Sequence, residues 1–162
     1  MTAEVRQVFE ADWELVRDVR LRVLDEAADA PASVVARERR FVEQHWRMRV
    51  RSSPTWLAYD EQATVQGIVS TICEPGSPAD DRHVVGLWVA PDARRRGLGW
   101  ALVDAAAAAA RAEGARTLSV WVVDGDLPAG DLYVRAGFER TGERHALARD
   151  PERVEERWLR RL

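Results

Sequence analysis

Val89-Ala90-Pro91-Asp92-Ala93-Arg94-Arg95-Arg96-Gly97-Leu98-Gly99-Trp100-Ala101-Leu102 places a strand end, a basic turn and a helix start in immediate succession. The apolar run from His83 to Val89 ahead of it has the continuity expected of a strand in a sheet interior, and Pro91 stops that strand. Gly97 opens a helix in which Leu98, Leu102, Ala105 and Ala109 fall on one stripe, ending near Gly114. The first turn of a helix leaves backbone N–H groups without partners, and the helix dipole favours an anion there, so the junction suits a diphosphate. Without a Cβ, Gly97 and Gly99 let the main chain pass against phosphate oxygens, and Arg94, Arg95 and Arg96 can add charge-assisted hydrogen bonds.

Other readings of this stretch compete. An isolated G-x-G also makes a tight connection beside a solvated basic turn. No Gly-Lys-Ser/Thr follows to hold a terminal phosphate and magnesium, which argues against nucleotide hydrolysis. A dinucleotide fingerprint would want Gly or Ala where Leu102 stands and would come first in the sheet, although Asp124 falls loosely where a ribose-binding acid belongs.

Working toward the N-terminus, Trp56 to Tyr59 and Val65 to Cys73 are β-branched and aromatic runs joined by the polar Asp60 to Thr64, a hairpin pattern. Before them, Val5 to Phe9 reads as a strand, and Asp12 caps a helix from Trp13 to about Ala28, with Val16, Val19 and Val23 on one stripe, closed by Pro31. Ser33 caps a second helix carrying Val35, Val42 and Trp46, which Ser52-Ser53-Pro54 ends. Toward the C-terminus, Leu118 to Val123 is a strand, Asp126 caps a helix from Leu127 to Ala136, and Gly137 stops it before Phe138. A last strand runs from about Val154 to Leu162, after a loop around Arg140 to Arg153. The order is β, two helices, three strands, helix, strand, helix and two strands, with neither a repeat nor a linker to divide it, so we expect a single domain spanning residues 1–162.

Bulk properties narrow the function. At 162 residues, with 46% hydrophobic and 31% charged, the chain can bury a core without disulfides or metal. A net charge of -3 gives no general attraction for nucleic acid and no basic face is obvious, so no nucleic-acid partner is expected, with Arg94 to Arg96 the cluster weighed against that reading. The start, Met1-Thr2-Ala3-Glu4-Val5-Arg6, lacks a basic segment followed by an apolar run, and no stretch reaches membrane-spanning length, so no membrane role is expected. One cysteine, Cys73, excludes an intramolecular disulfide, fits a cytoplasmic protein and reads as a small apolar strand residue. His45, His83, His145 and Cys73 have no metal-ligand spacing, so no metal is expected.

Arg94-x-x-Gly97-x-Gly99 after a Val89-x-Pro91 strand end, together with Tyr133-x-x-x-Gly137-Phe138, resembles the GNAT acetyltransferase family, and the element order agrees over nearly the whole chain. The resemblance implies an α/β (α+β) fold: a mixed, mostly antiparallel sheet of about six to seven strands with a splayed β4/β5 pair, flanked by about four helices. It implies acetyl-CoA as co-substrate, with the pantetheine arm entering the splay like an added strand on the main chain of Leu87, Trp88 and Val89. The pyrophosphate would then fall on Arg94, Arg95, Arg96, Gly97, Leu98, Gly99 and Trp100. Asp126 stands where family members commonly carry a cofactor-contacting Asn; an ionised Asp accepts but does not donate, which leaves a helix cap as its main role.

The implied reaction is acetyl transfer to a primary amine of a small molecule or a peptide N-terminus, by direct attack within a ternary complex. It needs a neutral nucleophile, an oxyanion donor and a proton for the thiolate. By resemblance, the Val89 N–H takes the oxyanion role and Tyr133, whose reference pKa is about 10, supplies the proton; Tyr133 packed simply as a core aromatic is the rival reading. His83 stands fourteen positions before Gly97, where some members carry an acidic residue, and is a candidate base, with Glu74 a second candidate and a solvated histidine the plainer alternative. Equally, no base is needed if the amine binds unprotonated. A non-catalytic acyl-CoA sensor is the alternative function. The acceptor is shaped in such proteins by the first helices and the last loop; Glu26 and Asp29 can attract a cation or simply solvate a helix face. Open sheet edges and seven tryptophans are compatible with a homodimer.

Overall fold

The computed structural model describes residues 4–27 and 31–162. Seven strands form one sheet: β1 (Glu4–Val8), β2 (Thr55–Tyr59), β3 (Val65–Ile72), β4 (Asp81–Val89), β5 (Thr117–Val123), β6 (Glu139–Leu147) and β7 (Asp150–Arg161), in the order β1-β2-β3-β4-β5-β7-β6. Every neighbouring pair is antiparallel except β4 and β5, which run parallel. The helices are α1 (Trp13–Glu26), α2 (Ala32–Arg39), α3 (Glu43–Ser52), α4 (Leu98–Ala112) and α5 (Leu127–Arg135), five where about four were expected.

Strand alternation assigns the two faces. Gly67 of β3 meets α4, where an added Cβ would come within 2.9 Å of Leu102 Cδ1 and 3.0 Å of the Trp88 carbonyl oxygen. Leu102 is fully buried there, a side chain worth about 1.5–3 kcal/mol when taken wholly out of water. On the opposite face, Trp88 of β4 donates from Nε1 to Glu26 of α1 at 3.2 Å and lies under the Arg22 guanidinium. One face of the sheet thus carries α4 and the other carries α1.

The single helix expected from Ser33 to Ser52 is two helices. The chain leaves α2 at Arg40 and extends at Val42, whose amide donates to His45 Nδ1 at 3.3 Å to start α3. Ser33 sits inside α2 rather than capping it, and Asp12 accepts from the Phe9 amide behind it instead of capping α1. Ala28 and Asp29 lie outside the described residues. The break places Glu38, 2% exposed, between two guanidinium groups: Arg20 Nε and Nη2 at 2.9 and 3.1 Å, and Arg49 Nη1 and Nη2 at 3.0 and 3.2 Å. Burial alone would push the Glu38 carboxyl up, but the hydrogen bonds from Arg20 and Arg49 outweigh it and hold the pKa at about 2. A carboxyl depressed in the folded state stabilises the fold above its ordinary value of 4.5, and that contribution fades as the pH falls toward 2.

The loop expected around Arg140 to Arg153 is the β6–β7 hairpin, with only residues 148–149 outside the two strands. Charge hid it from a hydrophobic reading, because nearly all of β6 is exposed. What fastens it is cross-strand pairing: Arg140 and Arg144 both donate to Glu156, and His145 Nε2 pairs with Glu155 at 2.7 Å. Cys73 lies just past β3 and is exposed, not an apolar strand residue.

Candidate functional site

β4 and β5 pair through only three residue pairs, Asp81↔Thr117, Arg82↔Leu118 and His83↔Ser119, and then diverge. A polar cluster rivets the closed end. Asp81 accepts from Thr117 Oγ1 at 2.6 Å, from Ser119 Oγ at 2.6 Å and from Arg157 Nη2 of β7 at 2.8 Å, joining three strands through one buried carboxylate. Such a group is tolerated in the interior because its lone pairs are satisfied.

Beyond His83 the strands part, and β4 changes register against β3. Ser70↔Val85 and Ile68↔Trp88 leave one extra residue on β4, a bulge at Gly86-Leu87, with Gly86 at φ +64°. The Ala90 amide donates toward β3, to the Gln66 carbonyl at 2.8 Å. Alternation along the strand therefore turns the main-chain groups of Val89, and of Leu87 two residues before it, toward the open wedge. The Val89 carbonyl is held by Arg94 Nε at 3.0 Å, which leaves its amide facing the gap. Trp88, between them, points its side chain to the α1 face.

At the wide end of the wedge the chain turns into α4. Gly97 is the N-cap at φ +85° and Arg95 also has positive φ, at 61°. The first α-helical bond runs from the Ala101 amide to the Gly97 carbonyl, and among the described residues no backbone acceptor is found for the amides of residues 95–100. Six consecutive donors at the positive end of a helix, beside the exposed side chains of Arg95 and Arg96, match an anion such as a diphosphate. Gly99 has a second reason to be glycine: its Cβ would stand 3.2 Å from Leu132 of α5, so it also sets how closely the two helices pack. Leu98 is buried and Trp100 half exposed. Asp126 accepts from the Ala129 amide at 3.1 Å and thus caps α5, whose N-terminus follows the end of β5 at the same open end.

The two titratable candidates sit on opposite faces. Tyr133, 6% exposed, is on α5, its ring against Phe138 edge-on at 5.2 Å. Burial, reinforced by the charge of Asp126, pushes its phenol well above the ordinary value. No protein group hydrogen-bonds its hydroxyl, yet among the described residues no sealed side-chain polar atom lacks a partner, so the hydroxyl reaches an opening.

His83, 3% exposed, is on the α1 face with its Nδ1 2.8 Å from Ser119 Oγ. Ser119 gives its one proton to Asp81, so it can only accept from the histidine. The network therefore assigns the Nδ1–H tautomer and leaves Nε2 with a free lone pair. Burial lowers the His83 pKa; Glu74, with Oε2 3.6 Å from Nδ1, opposes that shift and Arg157 adds to it. The net shift favours the neutral imidazole. Glu74 itself accepts from Trp121 Nε1 at 2.8 Å and stays below its usual range, because that bond and His83 outweigh its partial burial.

Beside the bulge, a cavity of about 330 Å³ opens between α1, α3 and the sheet, with Val85 and Gly86 at the β4 side. Neither it nor the Asp81 cluster was read from the sequence. A glycine inside the apolar run of β4 was the available signal for the bulge; Glu38, Arg20 and Arg49 come together only in the tertiary structure. Among the described residues no group of three or more His, Cys, Asp or Glu is placed to hold a metal ion, and no helix is long and apolar enough to cross a membrane.

Comparison with known proteins places this geometry among acyl-transferring enzymes. Residues 20–138 match the model of the Acetyltransferase (GNAT) family. Among solved structures, the acetyltransferase of the GNAT family from Streptococcus pneumoniae superposes with a TM-score of 0.79 at 16% identity, covering 99% of this chain and 100% of that one. A ribosomal-protein-alanine N-acetyltransferase from Brucella melitensis gives 0.75 at 18% identity, covering 98% and 99%. A nourseothricin acetyltransferase is 25% identical over 68% of this chain and 65% of its own, with a TM-score of 0.60. No curated protein sequence matches the chain.

Proposed function

Because the chain belongs to the GNAT acetyltransferase family, we propose that it transfers the acetyl group of acetyl-CoA to a primary amine by direct attack within a ternary complex. The observation that carries this is the junction of β4 and α4: an unpaired strand edge leading straight to six amides without backbone acceptors. The edge offers Leu87 and Val89 main-chain groups to an extended pantetheine, and the helix start offers donors to the diphosphate at the far end of the same molecule. The continuous sheet supports reading the chain as one catalytic domain, and its lone thiol suits the cytoplasm.

The residues divide the work of the reaction. The amine approaches from the α1 face, where the cavity meets the bulge, and its nitrogen attacks the thioester carbonyl carbon. The Val89 amide, aimed into the wedge, donates to the oxygen that gains charge. As the carbon–sulfur bond breaks, Tyr133 gives its phenolic proton to the departing sulfur from the other face. Its raised pKa keeps the proton available at every working pH and makes the transfer costlier than the reference value of about 10 would suggest. The proton lost by the amine passes to His83 Nε2, through water, since His83 itself does not line the cavity.

Release of free thiol from acetyl-CoA in the presence of an amine panel tests the assignment. Binding of acetyl-CoA without thiol release would instead mark a sensor. The pH dependence is specific. If His83 is the base, activity falls as it becomes protonated, so the acid limb of kcat/KM lies below its ordinary value of 6.5, and His83→Ala loses that limb. An unchanged profile in the variant removes His83 from the mechanism.

A further inference from the structure

Resting on the acetyl-transfer reading, the geometry points to an acceptor amine that also carries a negatively charged group, of the chemical class of a small amino acid. The cavity beside the bulge, about 330 Å³, is at the small end of the range typical of ligand pockets. Its wall is apolar and hydroxylic around Ile68, Thr55 and Ser70, and among the described residues the only charged side chains lining it are Arg20 and Arg49. Among the described residues no carboxylate lines it. Glu38, which holds both arginines, is sealed behind them and saturated by four guanidinium bonds. Each guanidinium gives two of its five N–H donors to Glu38 and keeps the rest, and the trio retains one positive charge in excess.

That arrangement repels a polyamine or any acceptor that brings a second cation, and it offers a prepositioned fork to a carboxylate. Glu38 keeps both arginines in place as a positioning residue. The amine of such a substrate would lie toward Val85 and Gly86, where β4 bulges at the mouth of the wedge, with its anionic group toward Arg20 and Arg49. Glu26, which a sequence reading offers as a lure for cations, is instead occupied by Trp88 and Arg22.

The test uses matched acceptor pairs in the thiol-release assay: small amino acids against their amides and their decarboxylated amines, with a polyamine alongside. The wild-type protein should favour the carboxylate member by about 10- to 100-fold in kcat/KM, the range of a charge-assisted hydrogen-bonded contact. Arg49→Gln should raise KM for the acid about 10-fold and leave KM for acetyl-CoA and for the amide near wild type. Glu38→Gln keeps both guanidinium charges but leaves them one carbonyl acceptor in place of two, so the preference for the acid should fall less than in Arg49→Gln. Equal or better use of amides and polyamines by the wild type overturns this inference and leaves acetyl transfer standing. A preference that survives Arg49→Gln, or is lost equally in Glu38→Gln, also overturns it. No thiol release with any amine overturns both readings.

Discussion

Tyr133→Phe lowers kcat by about 10²-fold or more while leaving acetyl-CoA affinity nearly unchanged. The expectation rests on how little else the substitution disturbs. The ring of Tyr133 packs edge-on against Phe138, a contact phenylalanine reproduces, and among the described residues the hydroxyl has no partner to be orphaned by its removal. What disappears is one proton at the surface of α5. A packed aromatic with no chemical duty would show the opposite result, wild-type turnover under conditions where chemistry limits the rate, and that outcome would remove Tyr133 from the reaction. Steady-state kinetics combined with titration of acetyl-CoA by calorimetry separates the two.

Gly97→Val weakens acetyl-CoA binding by at least about 10²-fold, through the backbone rather than through a clash. At φ +85° a valine is strained by its own Cβ, yet that Cβ would find nothing within 4 Å, so the protein has no packing reason to reject it. The strain is relieved by rotating the peptide groups at the start of α4, and those carry the amides proposed to hold the diphosphate. The prediction is a folded protein, by circular dichroism and thermal melting, that no longer binds the cofactor in a calorimetric titration. Gly99 makes a less clean probe, because a side chain there first presses Leu132 and shifts α5 against α4. Wild-type affinity in a folded Gly97→Val protein would contradict the placement of the diphosphate.

The features that could be read from the chain are those written in local chemistry. The apolar run of β4, Pro91, the glycine cap and the stripe of α4 each act within a few residues, so their order forced the strand, turn and helix that are seen. The expected splay followed from the family resemblance and is present as three paired positions followed by divergence. The break between α2 and α3 was missed because Val35, Val42 and Trp46 keep helical spacing across it, and the partners that Glu38 finds there, Arg20 and Arg49, lie 18 and 11 positions away. Two strands were expected after the last helix, but the extent of β6 was misplaced for a related reason: its charges read as solvated loop, and only pairing with β7 gives them partners. Asp81 was not singled out, although it is 2% exposed, since Thr117, Ser119 and Arg157 reach it from 36 to 76 residues away.

The Arg94 contact carries a consequence for the order of events on binding. Its guanidinium rests on the carbonyl of Val89, an acceptor that the extended pantetheine proposed to lie along β4 would also claim. In the proposed binding mode, that guest would displace the side chain and free a cation next to the turn proposed to hold its negative end. A single arginine would thereby link occupancy of the groove to capture at its rim.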